Sequence, residues 1–448
     1  MSIDIRFSDI KAMNPKAFYS EDCVITRVNT DTRHLQNGDT FVAIKGLHFD
    51  GHDYVQDAVA GGATSAVVSE SNIDVDAPVL QVDDTVIALG SIAALYRNKL
   101  EIPVVGITGS NGKTTVKDML ASIGAVHGEV TATRANQNNK IGVPLTLLSI
   151  GRDDDLAIIE MGTSEQGEIA YLSKLVSPDI AVVTSIAESH LEGIGSLDDV
   201  FHEKSDLIAF AKHDGVIVIA ADQPYSDRLA DVAGSREVIR YGFSDTCDIQ
   251  GFYVQTDGGQ QVRVKYPDGE LQYGLQVLGE HNVLNSMAAV AVALKAGIGK
   301  DDIVKGLEGF SAVNGRLAIC VLGGSVRLID DSYNANPAST QSALKVLSKF
   351  TGRKILVFGG MAELGERSAS LHQEVGRNAD QLGIDEMYVL ESAEESLVEF
   401  GGSKHRFENI DAMCRSLLDD VDSGDNVLVK GSRRYAMDKV VRFLKENI

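Results

Sequence analysis

Residues 103–126 read PVVGITGSNGKTTVKDMLASIGAV, and the fold follows from how this stretch is read. Val104, Val105 and Ile107 make an apolar run, a loop with Gly109 and Gly112 follows, and from near Thr114 the residues Met119, Leu120 and Ile123 recur at helical spacing. A strand, a glycine loop and a helix together form a phosphate-binding arrangement. Glycines let backbone N–H groups close on an anion, and the helix N-terminus adds partial positive charge. Lys113 can reach the outer phosphates, and the Thr114 hydroxyl can ligate Mg²⁺. The spacing departs from the usual P-loop rule, because Ile107 stands where that rule places its first glycine and the loop is the shorter TG-x-x-GKTT. The strand before and the helix after still meet the context that a nucleotide loop requires. Thr108, Gly109, Ser110, Asn111, Gly112, Lys113 and Thr114 are therefore the candidate nucleotide contacts.

At 448 residues the chain is too long for one hydrophobic core, and the length predicts about three domains. No apolar run approaches the ~18 residues of a membrane span. The opening MSIDIRFSDIKAMNPK lacks an apolar signal core, so we expect neither membrane insertion nor export. Cys23, Cys247, Cys320 and Cys414 lie far apart with no C-x-x-C pair, which argues against a zinc knot or disulfide frame and fits the cytoplasm. A formal net charge of −23 opposes generic nucleic-acid or anionic-membrane binding. An anionic substrate must instead be held by local clusters of Arg, Lys and backbone N–H.

Three α/β regions follow in order. Residues 1–98 read as a small α/β unit, with strands at 40–44 and 66–69 around a glycine loop and a helix at 54–60. From 99 to 312, strands at 103–108, 156–160, 180–186 and 215–220 are continuous apolar runs, the pattern of parallel strands covered on both faces. Residues 247–278 alternate instead and predict a polar-faced β-hairpin inserted in this domain. From 313 to 448 a second alternation places strands at 326–330, 354–358, 387–390 and 426–430. Ligands of such sheets collect at the carboxyl ends of the strands. That rule groups the P-loop, Glu160 and the His190 loop on one edge, and Asp331, loop 359–366 and Lys430–Arg433 on another. If the two edges face each other they form a cleft able to close on two substrates.

Several residues could carry chemistry there. Glu160 ends its strand, where it is either a solvated acid or a carboxylate within reach of a P-loop metal. A lone loop histidine such as His190 is ordinarily structural, and Lys204 in FHEKSDL reads as a surface helix lysine. Asn336 can cap the helix that Pro337 begins. Capping does not account for the paired Asp330 and Asp331 at the end of an apolar strand.

Further stretches match a known family: TDTRHLQNGDTFVAIKGLHFDGH, TGSNGKTT, NQNNKIGVPLTLL, AIIEMGTSEQGEI, SHLEGIGS, GEHNVLNSMAA, GRL, LIDDSYNANPAS, GMAELGE and VLVKGSRR. The chain resembles the bacterial Mur ligases over its whole length. Within them it is most similar to the branch that adds D-alanyl-D-alanine, because NNKIGVPLTLL and YNANP are present. The branch that adds the third amino acid typically carries TTP and, in its diaminopimelate form, DNPR, and neither occurs here; it remains the alternative within the family. A nucleotide-switch protein is the alternative outside it, and it leaves TDTR and DGH without a task.

The resemblance implies a UDP-sugar domain (1–98), a central P-loop ATPase (99–312) and a C-terminal Rossmann-like domain (313–448). It implies ATP and UDP-N-acetylmuramoyl-tripeptide as substrates, joined by an acyl phosphate route to D-alanyl-D-alanine, in a monomer. By the same resemblance, Lys113, Glu160, His190 and Lys204 are catalytic. Thr114 and Glu160 would hold one Mg²⁺, with His190 and a carbamylated Lys204 near a second. Asn282, Asn285, Arg316 and Asp331 join the P-loop at the nucleotide. Thr32, Arg33, Gly46, Leu47, His48 and Phe49 match the uridine diphosphate loop, and Asn138, Asn139, Lys430, Ser432 and Arg433 the peptide side. Two departures stand out: Thr184-Ser185 where the family typically has TN, and Gly359-Gly360-Met361 where it has GDM.

Overall fold

The computed structural model describes residues 3–256 and 259–448. Its central sheet runs in the order Gly269–Leu275, Gly259–Tyr266, Ile249–Thr256, Glu237–Gly242, Val216–Ala220, Ile180–Val183, Val104–Thr108, Leu156–Glu160 and Val130–Ala132. From Ile249–Thr256 onward the strands are parallel, and the first two are antiparallel. Alternate residues of each parallel strand enter different cores. Val104, Ala157, Ile159, Ala181 and Val183 pack on one face, and Val105, Ile107, Ile158 and Val182 on the other. Burial on both faces is the physical reason these strands read as unbroken apolar runs.

Two expectations need correction here. Residues 247–278 are not a hairpin: they supply three strands that pair in sequence and extend the central sheet through Tyr241↔Ile249. Residues 257 and 258, inside that stretch, lie outside the described residues. The strand expected over 180–186 ends at Val183, because Thr184 and Ser185 turn to hydrogen-bond the P-loop.

The N-terminal sheet includes Thr40–Val42 and Ser65–Val68, close to expectation. The helix expected over 54–60 is a 3-10 turn, Gly51–Tyr54, followed by Val55–Ala60. The helix Thr85–Arg97 starts where the Asp84 side chain accepts from Val86 N and Ile87 N, at 2.7 and 3.1 Å. It packs on the central helices Gly142–Leu148 and Glu168–Val176, so one core runs from Ile5 and Leu89 into Val143 and Leu172. Buried Arg97 seals this junction. Its guanidinium donates to Val176 O (2.8 Å), Leu100 O (3.3 Å), Ser177 O (3.1 Å) and Asp179 Oδ2 (2.8 Å).

The C-terminal sheet has six strands in the order Ala318–Val321, Arg327–Asp331, Asn426–Lys430, Lys354–Phe358, Glu386–Leu390 and Ser403–Phe407. All but the first pair parallel, with a separate core on each face. Its carboxyl edge turns toward that of the central sheet. Two contacts mark the facing: Arg316 Nη2 donates to Thr114 Oγ1 at 3.0 Å, and Asn336 Nδ2 to Asn111 Oδ1 at 2.8 Å.

Candidate active site

Register sets the floor of the cleft. Glu160 pairs beside Ile107 and Val183 beside Thr108, so three strands deliver their carboxyl ends at one level. The loop above is held from behind: Ser110 N donates to Ser185 O (2.9 Å), Asn111 N to Ser185 Oγ (2.8 Å), and Thr184 Oγ1 to Asn111 O (2.5 Å). Ser185, one of the departures from the family pattern, thus works as a clamp on the loop. Gly112 closes the turn at φ +86°, and a Cβ there would lie 2.4 Å from Asn285 Oδ1. Asn285 in turn donates to Asn282 Oδ1 at 3.3 Å. Thr108 lies buried beneath the loop, its hydroxyl bonded to Met161 O at 3.0 Å.

Lys113 Nζ bends back to Gly109 O at 2.6 Å. Burial lowers its pKa and Arg316 adds to the effect, while Glu160 opposes it. Thr114 Oγ1 donates to Glu160 Oε1 at 3.2 Å, and Asn138 Nδ2 donates to the same oxygen at 2.9 Å. The other oxygen, Oε2, is buried and has no hydrogen-bond partner. A buried acceptor without a partner costs free energy unless something else occupies that direction. A hydroxyl and a carboxylate oxygen are the donors Mg²⁺ prefers, so these residues fit such an ion.

His190 lines the cleft and its Nδ1 pairs with Glu363 Oε2, on the loop that follows strand Lys354–Phe358 of the C-terminal sheet. Desolvation lowers its pKa; Glu363 opposes the shift, and Lys113 and Lys204 add to it. Lys204 is far from a surface lysine, since it is only 1% exposed. Loss of hydration and the Lys113 charge bring its pKa from 10.5 to about 7 against a smaller opposing pull from Glu203. Glu203 itself braces the neighbouring loop, accepting from Thr163 Oγ1 (3.0 Å), Gly167 N (2.6 Å) and Ile169 N (2.7 Å).

Between the sheets lies a cavity of about 600 Å³. Ser110–Thr114, Asn138, Asn139, Glu160, His190, Asn282 and Asn285 line one wall, and Arg316, Asp331 and Lys430 the other. The Arg316 guanidinium sits 4.5 Å over the Tyr333 ring, and Lys430 Nζ pairs with Asp331 while donating to Asn334 O at 3.0 Å. Asn139 Oδ1 accepts from Ile141 N and Gly142 N at 3.1 and 2.9 Å. Ser432 does not line the cavity; it is buried, its hydroxyl bonding Ala335 O (3.1 Å) and accepting from Ala362 N (2.9 Å). Exposed Arg433 lies outside as well, 3.5 Å from Asp438.

The cavity does not include the N-terminal group Thr32, Arg33, Gly46, Leu47, His48 and Phe49. Arg33 pairs with Asp31, while Leu47 and Phe49 stand 99% and 73% exposed on a loop closed by the Lys45↔Asp50 bridge. Sequence reasoning missed His281, Tyr333 and the second role of Asn336, all of them cavity-lining. Asn336 does cap its helix, with Ser339 N donating to Oδ1 at 2.9 Å, and its amide also reaches the P-loop. Each lies inside a motif already quoted, GEHN or SYNANP, which was the available signal. Burial holds His281 at a pKa of about 4. At the second departure, Gly360 adopts φ +102°, a conformation that suits glycine better than aspartate.

Models of three domain families match the chain in order: "Mur ligase family, catalytic domain" over residues 24–97, "Mur ligase middle domain" over 107–293, and "Mur ligase, glutamate ligase domain" over 315–433. The UDP-N-acetylmuramoyl-tripeptide–D-alanyl-D-alanine ligase of Escherichia coli is 39% identical over 430 residues, covering 95% of each chain. A crystal structure of MurF from Acinetobacter baumannii superposes with a TM-score of 0.90 at 31% identity, covering 99% of each chain. MurF ligase from Thermotoga maritima in complex with ADP gives 0.85 at 28% identity, covering 94% of this chain and 97% of that one.

Proposed function

The chain belongs to the Mur ligase family, and from that premise we propose how its cleft works. It is an ATP-dependent ligase of peptidoglycan precursor synthesis that adds D-alanyl-D-alanine to UDP-N-acetylmuramoyl-tripeptide. A carboxylate oxygen of the tripeptide attacks the γ-phosphorus of ATP. The bond to the β–γ bridging oxygen breaks, and an acyl phosphate and ADP result. The amine of D-alanyl-D-alanine then attacks the acyl carbon, gives up a proton, and expels phosphate to leave the amide.

Two polyanions must meet in a chain of net charge −23. Lys113, the loop amides and Arg316 offset that repulsion locally and stabilise charge on the transferring phosphoryl group. Thr114 and Glu160 would hold Mg²⁺, which would supply charge neutralisation for the transferring phosphoryl group. The buried and unpartnered Glu160 Oε2, 2% exposed as a residue and placed beside the P-loop hydroxyl, is the observation that carries this assignment. His190 and Lys204 would serve a second ion. A pKa near 7 supports carbamylation of Lys204, because only the neutral amine attacks CO₂, giving a carbamate and one proton.

We assign 1–98 to the uridine diphosphate, 99–312 to ATP and 313–448 to closure over the peptide ends, in a monomeric cytoplasmic enzyme. No described helix is long and apolar enough to cross a membrane. The test is orthophosphate release with ATP and Mg²⁺. Release is expected with UDP-N-acetylmuramoyl-tripeptide plus D-alanyl-D-alanine, and not with the corresponding dipeptide nucleotide plus a diamino acid. Release that needs neither acceptor would turn the assignment toward a nucleotide switch. Lys204→Ala is expected to be severely impaired and partly restored by short-chain carboxylates; full activity without them removes the carbamate.

A further inference from the structure

The central and C-terminal units meet where loop 187–190 touches loop 359–367. Both residues at the contact hold unusual backbones: His190 at φ +53° and Glu363 at φ +62° are left-handed, a region that side chains with a Cβ seldom adopt. Surrounding bonds impose these conformations. On the C-terminal side, Gly359 N donates to Lys430 O (2.9 Å) and Ser432 N to Gly360 O (2.9 Å). Met361 N donates to Nε2 of buried His372 (3.0 Å), and Ala362 N to Ser432 Oγ (2.9 Å). On the central side, Gly193 N and Ile194 N close on His190 O at 3.1 and 2.9 Å. Across the gap Glu192 N donates to Glu363 O at 3.2 Å, His190 Nδ1 meets Glu363 Oε2, and Arg367 pairs with Glu188 alongside. His190 lines the cavity, whereas Glu363 does not. Among the described residues no hydrogen bond reaches His190 Nε2.

A neutral imidazole carries one proton, and the partner of one nitrogen decides which nitrogen keeps it. We propose that Glu363 is a positioning residue for the ligase reaction: its carboxylate, arriving with the C-terminal unit, accepts the Nδ1–H of His190 and leaves Nε2 as the acceptor nitrogen in the cleft wall. Apart from Leu278 in one of them, the two C-terminal cores are built from residues after 316, so parting the units at the cleft would break this bond and leave those cores nearly whole. Closure over the substrates and completion of the histidine side of the site then become one event. The inference rests on the ligase reading above, and it adds the residue that links domain position to ring chemistry.

The test compares Glu363→Ala with Glu363→Gln in the full chain. Glutamine can still accept through its amide oxygen; alanine cannot. The Glu363 side chain is half exposed, so neither change opens a core. Glu363→Ala is expected to lower kcat about 10- to 100-fold with the KM for ATP within about 2-fold, and Glu363→Gln to stay within about 5-fold of the parent. Histidine-labelled ¹⁵N protein, kept free of divalent cations and bound to a non-hydrolysable ATP analogue and the tripeptide nucleotide, reads the ring directly. Assigned through His190→Asn, the His190 signal is expected in the Nδ1–H form in the parent and Glu363→Gln, and in the Nε2–H form in Glu363→Ala. Parental kcat in Glu363→Ala, an equal loss in Glu363→Gln, or one tautomer in all three proteins overturns the proposal. The ring spectra need no turnover and phosphate release by the parent is measured separately, so failure here is distinct from failure of the ligase reading.

Discussion

Lys204→Met removes an ammonium group from a place where the fold opposes one. The side chain is 1% exposed, and among the described residues no hydrogen bond or ion pair reaches its nitrogen. Both oxygens of neighbouring Glu203 are already committed to the loop at 163–169. Lost hydration, then repulsion from Lys113, takes the pKa from 10.5 to about 7. At ~1.4 kcal/mol per unit, the charged form costs the folded state roughly 4–5 kcal/mol where folded and unfolded chains both hold the proton. The sign follows from proton counting. Between pH 7 and 10.5 the unfolded chain keeps a proton that the folded chain has shed, so stability rises with pH across that window. Below it the full cost applies, and above it none. Methionine is of similar length, apolar and adaptable. In CO₂-free buffer the variant is therefore expected to exceed the parent by roughly 3–5 kcal/mol at pH 6.5 and by roughly 2 kcal/mol at pH 9, while losing turnover. Calorimetric melting across that pH range measures the difference as a raised Tm whose excess shrinks as pH rises. Equal melting at pH 6.5, or an excess that grows with pH, refutes the account of Lys204 as a desolvated amine.

Three other substitutions probe separate parts of the chain. Lys113→Ala is expected to cut phosphate release by about 10²–10³-fold or more, and near-parental turnover would take the glycine loop out of the reaction. Arg97→Met strips four hydrogen bonds from the junction of the N-terminal and central units and leaves Asp179 without one of its two cations. A loss of roughly 3–5 kcal/mol should appear as a clearly lower Tm, and an unchanged Tm would mean that the apolar core alone holds the junction. Gly360→Asp restores the family's usual residue at φ +102°, where a Cβ would sit 3.3 Å from Ala393 Cβ, His372 Nε2 and Ser392 O. About 1–3 kcal/mol of destabilisation is expected by melting, and a stabilised variant would show that backbone strain is not what keeps glycine there.

What the sequence determined by itself was whatever depends on neighbours a few residues away. The run Val104–Ile107, the loop glycines and the helical spacing after Thr114 mark a strand, a tight loop and a helix, and the structure has all three, because strand burial, left-handed turns and helix faces have local signatures. Asn336 and Pro337 likewise announce a helix start. Two edge strands, Ala318–Val321 and Ser403–Phe407, escaped notice because half-exposed strands carry mixed residues, SKHRF among them. The three-stranded extension was under-read because alternation specifies a strand and not its partner. Tertiary structure alone decided the electrostatics. A lysine in FHEKSDL looks solvated until the sheet, Lys113 and the braced loop enclose it. Likewise, Glu363 and His190 stand 173 positions apart in the chain, and only the meeting of the central and C-terminal units makes one the hydrogen-bond partner of the other. Long-range burial and charge depend on which surfaces converge, and convergence belongs to the folded chain.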